Sequence, residues 1–217
     1  MDQSEKRALE ILNEAGAVMT NSHFVYASGR HGRVYVNKDA VYPHTAQTSR
    51  LCAEIAKRFQ DDDVEVVIAP AIGGVILSQW TAWHLTELPR GREVLGVYAE
   101  KAEGDTFVIK RGYDRLIAGK NVLVVEDVLT TGGSARKVIE VTRAFGGEVV
   151  GLGALCNRGG VTPEDLGGVP KLHALVNVTL DTWSEEECLR NGPCSEGVPI
   201  NIDVGKGREF LARKKSS

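Results

Sequence analysis

No apolar run in this sequence approaches the ~18 residues that a membrane-spanning helix needs, so no membrane span is expected. The opening Met1-Asp2-Gln3-Ser4-Glu5-Lys6-Arg7 has no apolar signal-peptide core. Basic residues are not in excess: 26 Lys and Arg stand against 29 Asp and Glu, for a net charge of -3. That balance gives no electrostatic case for nucleic-acid binding, and the one basic cluster, Arg213-Lys214-Lys215, reads as a solvated end. Cysteine is sparse, with four in 217 residues, which fits reduced thiols in a cytoplasmic protein. Cys188 and Cys194 have five residues between them and no second ligand pair beside them, so free thiols are expected rather than a zinc site. No G-x-x-x-x-G-K-[ST] motif occurs. Gly151-Leu152-Gly153 lacks the third glycine of a dinucleotide fingerprint and falls inside a strand pattern. Five scattered histidines suggest no Ser/His/Asp arrangement. There is no internal repeat and no low-complexity segment.

What is present is an alternation of short β-branched runs with amphipathic segments. Helical spacing is expected over residues 4–15, Thr45–Phe59, from Gly74 to about Leu88, and Gly133–Phe145. Strands are expected over Val64–Ala69, Glu93–Ala99, Val122–Val125, Glu148–Cys156 and Lys171–Val178. Between His23 and Asp39 two strand-like runs flank a Ser-Gly-Arg-His-Gly turn, which reads as a hairpin rich in Arg30, His31, Arg33, Tyr35, Asn37 and Lys38. Glu100–Lys120 reads as a long polar loop with a weak alternating segment at Thr106–Lys110, and the chain after Asp181 as irregular apart from a terminal helix near Glu209–Arg213. The pattern predicts an α/β fold: a central parallel sheet with helices on both faces, plus a small N-terminal helix and hairpin hood. The expected organisation is a hood over 1–42, a core over 43–180 and a C-terminal extension over 181–217. In such sheets ligands bind at the carboxyl ends of the strands, where the loops 70–74, 100–118, 126–134 and 157–160 all lie.

The most informative stretch is Val122 to Ser134, Val-Leu-Val-Val-Glu-Asp-Val-Leu-Thr-Thr-Gly-Gly-Ser. Glycines let the backbone approach a ligand, and the first helical turn offers unpaired N–H groups to an anion. The hydroxyls of Thr130, Thr131 and Ser134 add donors. Glu126 and Asp127, just before this loop, would repel a phosphate unless they accept hydrogen bonds or hold a metal. A ribose supplies two vicinal hydroxyls, so the combination suggests a ribose 5-phosphate, with the diol on the acids and the phosphate on the loop.

This stretch resembles the phosphoribosyl-diphosphate signature of the type I phosphoribosyltransferases. Ala69-Pro70-Ala71-Ile72-Gly73-Gly74 resembles their pyrophosphate loop, and residues 100–118 their mobile catalytic loop. Within that family the chain is most similar to orotate phosphoribosyltransferases. The hairpin from Phe24 to Lys38 resembles their base-binding segment, Asn157-Arg158 their Asp-Arg at a strand end, and Cys194-x-x-Gly197-Val198-Pro199 a C-terminal motif of one bacterial and archaeal branch. The chain departs from the family's Arg-Lys-x-x-Lys-x-His loop, since only Lys101 remains in Glu100-Lys101-Ala102-Glu103-Gly104-Asp105; Ile72 and Ala27 stand where many members have lysine.

The resemblance implies transfer of a ribose 5-phosphate group from phosphoribosyl diphosphate to orotate, releasing pyrophosphate, in pyrimidine biosynthesis. It implies Lys101 and Asp127 as catalytic residues. Glu126, Asp127, Thr130, Thr131, Gly132, Gly133, Ser134, Ala71, Ile72, Gly73, Lys110 and Arg111 would bind the diphosphate substrate. Arg158, Tyr35, Lys38 and Thr130 would bind orotate. Mg2+ would be held mainly by substrate, with Asp127 as its candidate protein contact. A homodimer sharing the mobile loop is expected. Two rivals are a phosphoribosyltransferase for uracil or a purine, and a non-catalytic sensor of phosphoribosyl diphosphate. Arg158 argues against the first, because a neutral base would leave that cation unpaired. The short acidic segment before the hairpin argues against the DNA-binding module that the second would need.

Overall fold

The computed structural model describes residues 3–26, 28–89, 92–178 and 181–215; Ala27 lies outside them. In chain order the elements are α1 (Gln3–Glu14), β1 (Val18–Met19), β2 (Phe24–Val25), β3 (His31–Gly32), β4 (Tyr35–Val36), α2 (Thr45–Arg58), β5 (Val66–Pro70), α3 (Gly73–Thr86), β6 (Leu95–Ala102), β7 (Thr106–Val108), α4 (Asp114–Ile117), β8 (Asn121–Leu129), α5 (Gly133–Ala144), β9 (Glu148–Asn157), β10 (Leu172–Asn177), β11 (Thr182–Trp183), α6 (Glu185–Asn191) and α7 (Gly207–Lys215). Among the described residues no helix is long and apolar enough to cross a membrane. The chain divides into two compact units, Met1–Ile11 with Tyr42–Val178 and Leu12–Val41 with Thr179–Ser217.

The first unit is an α/β layer structure around a six-stranded sheet of order β10-β9-β8-β5-β6-β7. The strands from β10 to β6 are parallel to their neighbours, and β7 is antiparallel at the edge. Strands covered on both faces must be apolar throughout, and β5 is buried at every position. The two faces can be read off β9, whose side chains alternate. A Cβ on Gly151 would stand 2.6 Å from Phe59, and one on Gly153 would stand 2.6 Å from Ile55, because the end of α2 presses on that face. Leu152, pointing the other way, joins the core containing Val138 and Ile139 of α5. The glycines of this triplet therefore serve helix packing.

The strand order reverses between β5 and β8: the chain runs outward through β6 and β7, returns to β8, and runs outward the other way through β9 and β10. A crevice between strand carboxyl ends opens at such a switch point. Here it is flanked by the loop after β5, Ala71–Ile72, and the loop after β8, Thr130–Gly132.

The expected long loop from Glu100 differs in its first part. β6 continues to Ala102, turns through Glu103–Asp105 with Gly104 at φ 71, and returns as β7. The physical reason is burial: Phe107 and Ile109 reach the sheet core, so the segment is held as an edge hairpin.

The second unit contains two small sheets, β1-β4 and β11-β3-β2. The expected hairpin is tighter than its sequence pattern: His31 and Gly32, read as part of the turn, form β3 opposite β2, with Phe24 opposite Gly32 and Val25 opposite His31, while the expected second run, Tyr35–Val36, pairs with β1 instead. β11 pairs with the other edge of β3, and Arg30 donates from Nε to Thr182 Oγ1 at 2.9 Å and from Nη2 to the Thr182 carbonyl at 2.7 Å. The chain beyond Asp181 is thus more ordered than its composition suggests. Ser184 caps α6 by accepting from the Glu187 N–H, while the Glu187 carboxylate accepts from the Ser184 N–H, a complete capping box.

Candidate functional site

β8 carries the acid pair at its carboxyl end. Glu126 and Asp127 are 8% and 4% exposed, so both carboxylates are withdrawn from bulk water. Both accept hydrogen bonds from the chain. The Asp127 N–H donates to Glu126 Oε1 at 3.1 Å, the Val128 N–H to Asp127 Oδ1 at 2.7 Å, and the Tyr42 hydroxyl to Asp127 Oδ2 at 3.0 Å. Tyr42 had no sequence signal, because only the fold brings it to Asp127.

Thr130 to Gly132 then lead into α5. Gly132 holds φ 73, a left-handed conformation that favours glycine, and a Cβ there would press at 3.0 Å on Val161 and Leu166. The N-cap residue, Gly132, has no side chain with which to cap α5. Thr131 Oγ1 accepts from the Gly133 N–H at 3.4 Å, and Thr130, Thr131 and Ser134 are exposed. Unpaired N–H groups in a first helical turn, with hydroxyls around them, suit a phosphomonoester.

The loop after β9 docks on this one. The Arg158 and Gly159 N–H groups both donate to the Leu129 carbonyl, at 3.0 and 3.2 Å. Arg158 Nε donates to Thr130 Oγ1 at 3.0 Å. Gly159 lies so near Thr130 that an added Cβ would sit 1.6 Å from the Thr130 carbonyl oxygen. The sequence marks this spot only as a glycine pair at a strand end; the contact itself is a product of the fold.

Beyond β5, Ala71 and Ile72 are joined by a cis peptide, and Ile72 is 88% exposed. A cleft of about 730 Å³ is lined here by Ala71, Ile72, Tyr98, Glu100, Lys101 and Arg111 among others. It brings two residues of the expected pyrophosphate loop together with two of the three candidate cations. Each cation is paired with an acid. Lys101 Nζ is 2.8 Å from Asp105 Oδ1, and Asp105 also takes Lys137. Arg111 Nε donates to Glu100 Oε1 at 2.8 Å, and Lys110 Nζ is 3.6 Å from Glu100 Oε2. These lysines hold the Asp105 carboxyl down to about 2, and Arg111, with Lys110 adding to it, lowers that of Glu100. Asp105 and Lys137 were not anticipated from sequence.

Tyr35 and Lys38 belong to the second unit. The half-buried Tyr35 ring lies 5.4 Å from Phe24 and stacks at 6.4 Å on Tyr26, while Lys38 opens a short 3-10 turn, Lys38–Ala40. In the same unit His31 is fully buried, beside His23 and the two late cysteines. The second ligand pair that the sequence does not place beside Cys188 and Cys194 comes from the hairpin.

A parallel sheet with a buried acid pair and a strand-to-helix loop at its switch point defines an α/β fold of the kind whose strand ends form a crevice for ligands. The chain belongs to the phosphoribosyl transferase family: the model of the phosphoribosyl transferase domain matches residues 39–176. Among relatives, the orotate phosphoribosyltransferase of Desulforamulus reducens is 36% identical over 196 residues, covering 90% of this chain and 94% of that protein. The orotate phosphoribosyltransferase of Pelotomaculum thermopropionicum is 38% identical over 189 residues, covering 87% of this chain and 91% of its own length. The crystal structure of orotate phosphoribosyltransferase from Aeropyrum pernix is similar with a TM-score of 0.60 at 27% identity, covering 78% of this chain and 92% of that one.

Proposed function

We propose that this protein is an orotate phosphoribosyltransferase, converting orotate and phosphoribosyl diphosphate to orotidine 5'-monophosphate and pyrophosphate. The observation that carries the reading is the union of two loops: Arg158, a fork for a carboxylate, is hydrogen-bonded to Thr130 at the head of the anion loop. A base with a carboxylate and a sugar with a phosphate are thereby addressed by one connected surface.

In this reading Glu126 and Asp127 accept hydrogen bonds from the ribose hydroxyls. Thr130, Thr131, Gly132, Gly133 and Ser134 surround the 5-phosphate at the N-terminus of α5, where the helix dipole favours a dianion by up to about 2 kcal/mol. Ala71, Ile72 and Gly73 offer backbone to the pyrophosphate. As the glycosidic bond breaks, positive charge spreads over the ribose ring and negative charge grows on the leaving pyrophosphate. Lys101, exchanging Asp105 for the pyrophosphate, meets that charge, with Lys110 and Arg111 able to leave Glu100 in the same way. Tyr35 and Lys38 contribute to the base. Mg2+ would be held mainly by substrate, with the hard carboxylate oxygens of Asp127 as its protein contact, and would supply Lewis-acid chemistry to the leaving pyrophosphate. A cytoplasmic homodimer is part of the same proposal, with the loop around Lys101 reaching the neighbouring subunit.

The test is incubation with phosphoribosyl diphosphate and Mg2+ against orotate, uracil, adenine, hypoxanthine and nicotinate, following pyrophosphate release. Turnover with orotate is expected. Turnover only with another base would replace the orotate assignment, and diphosphate binding with no turnover would favour a sensor. Sedimentation velocity checks the dimer.

A further inference from the structure

Four side chains in the second unit serve nothing in the transfer chemistry. His23 and His31 come from the hairpin, Cys188 from α6 and Cys194 from the turn beyond it. One ligand atom from each falls within 4.8 Å of all the others. Cys188 Sγ is 3.8 Å from His23 Nε2, Cys194 Sγ is 3.7 Å from the same nitrogen and 3.6 Å from His31 Nδ1, and the two nitrogens are 2.7 Å apart. A tetrahedral zinc with nitrogen bonds of about 2.0–2.1 Å and sulfur bonds of about 2.3 Å separates its ligand atoms by about 3.3–3.8 Å. The three sulfur–nitrogen distances match that edge length, the two nitrogens must part from 2.7 Å to reach it, and the two remaining edges lie within 4.8 Å. We propose that these residues form a structural Cys2His2 zinc site.

The surroundings are those of a metal site. His23 Nδ1 faces the Val198 carbonyl at 3.0 Å, and since a carbonyl only accepts, Nδ1 bears the proton and Nε2 turns a lone pair to the cluster. The Cys194 N–H donates to Cys188 Sγ at 3.2 Å, a bond that stabilises sulfur as a thiolate. His31 is fully buried, its Nε2 has no hydrogen-bond partner among the described residues, and the nitrogen it turns to the cluster is Nδ1. Without metal, His31 Nδ1 donates to His23 Nε2. With metal, the His31 proton moves to Nε2, both thiols lose theirs, and two protons are released per zinc bound; no electron transfer is involved.

Two thiolates and two imidazoles select zinc over harder cations, and a closed four-ligand set leaves no open position for catalysis. The consequence is mechanical. The second unit is assembled from two distant stretches of chain, Leu12–Val41 and Thr179–Ser217, whose strands there are only two residues long. Two ligands come from each stretch, so one ion ties them together. A small unit with short strands gains most from such a staple. The inference is independent of which base the enzyme uses.

The experiment is to express the full chain in zinc-supplemented medium, dialyse it extensively and measure metal by mass spectrometry. One zinc per chain is expected, falling at least tenfold in Cys188→Ser and Cys194→Ser and remaining in Cys52→Ala. To separate binding from misfolding, chelator-stripped wild-type protein is titrated with Co2+. The expected result is the visible bands of tetrahedral cobalt with a sulfur-to-metal charge-transfer band, reversed by Zn2+. Substoichiometric zinc with no such bands overturns the proposal, as does a Cys188–Cys194 disulfide in peptide maps of freshly isolated protein.

Discussion

Substituting Gly159 by alanine tests the join between the two loops at the strand ends. The added Cβ would lie 1.6 Å from the Thr130 carbonyl oxygen, and a carbon–oxygen contact needs about 3.3 Å, so the loops must separate by about 1.7 Å. Both atoms are anchored to backbone, so no side-chain rotation relieves the clash. The Arg158–Thr130 hydrogen bond of 3.0 Å spans the same gap and must stretch or break. A displacement of about 1 Å at a reacting site loses about 10²-fold in rate, so Gly159→Ala should lower kcat/KM for orotate by about that factor. Overpacking of this kind destabilises by about 1–3 kcal/mol, which for a chain of this size lowers Tm by about 2–12 °C. Gly160→Ala is the control. Gly160 sits at φ +64 with nothing within 4 Å of a new Cβ, so it incurs only backbone strain of about 1–2 kcal/mol. Steady-state kinetics and thermal melts of both variants are the assay. The expected pattern is comparable destabilisation with activity lost only in Gly159→Ala. Unchanged kcat/KM in Gly159→Ala, or equal loss in both, would refute the coupling.

Other outcomes follow from the same geometry. Lys101→Ala should lower kcat by about 10²–10³ with a smaller change in orotate KM, read in single-turnover kinetics. Arg158→Ala should raise orotate KM by about 10- to 10²-fold, the loss of a charged hydrogen-bond pair, while leaving phosphoribosyl diphosphate affinity near wild type by calorimetry. Asp105 has its carboxyl depressed from 3.8 to about 2 by Lys101 and Lys137. A depressed carboxyl contributes its stabilisation above the ordinary carboxylate value and loses it as pH falls through about 2. Carboxyl-carbon NMR should therefore find Asp105 ionised throughout the range from neutral to pH 4, and protonation near 4 would contradict the pairing.

The sheet and the acid-bearing strand were readable because fully buried parallel strands have an unmistakable apolar signature, Val66–Ala69 and Val122–Val125, and because Gly132 and its neighbours announce a strand-to-helix turn. The Gly151-Leu152-Gly153 triplet was readable only as a failed motif; its reason, the approach of Ile55 and Phe59, is a packing fact. The edge hairpin through Gly104 lay in a polar stretch whose strand signal is the short alternation that buries Phe107 and Ile109. α6 carries a local capping signal, Ser184-x-x-Glu187, which the irregular composition around it obscures. Tyr42 with Asp127, Gly159 with Thr130, and the histidine–cysteine cluster were not readable. Each joins residues far apart in sequence, and no local pattern encodes which side chains a fold will bring together.

The central claim is that the stretch from Val122 to Ser134 binds the ribose phosphate through Glu126 and Asp127. Its most direct measurement is calorimetric binding of phosphoribosyl diphosphate with Mg2+ to wild-type protein and to Glu126→Gln combined with Asp127→Asn, with circular dichroism and Tm as fold controls. The account predicts near-complete loss of binding in a folded double variant, because the neutral amides accept hydrogen bonds from the ribose diol far more weakly. Unchanged affinity in that variant would contradict it.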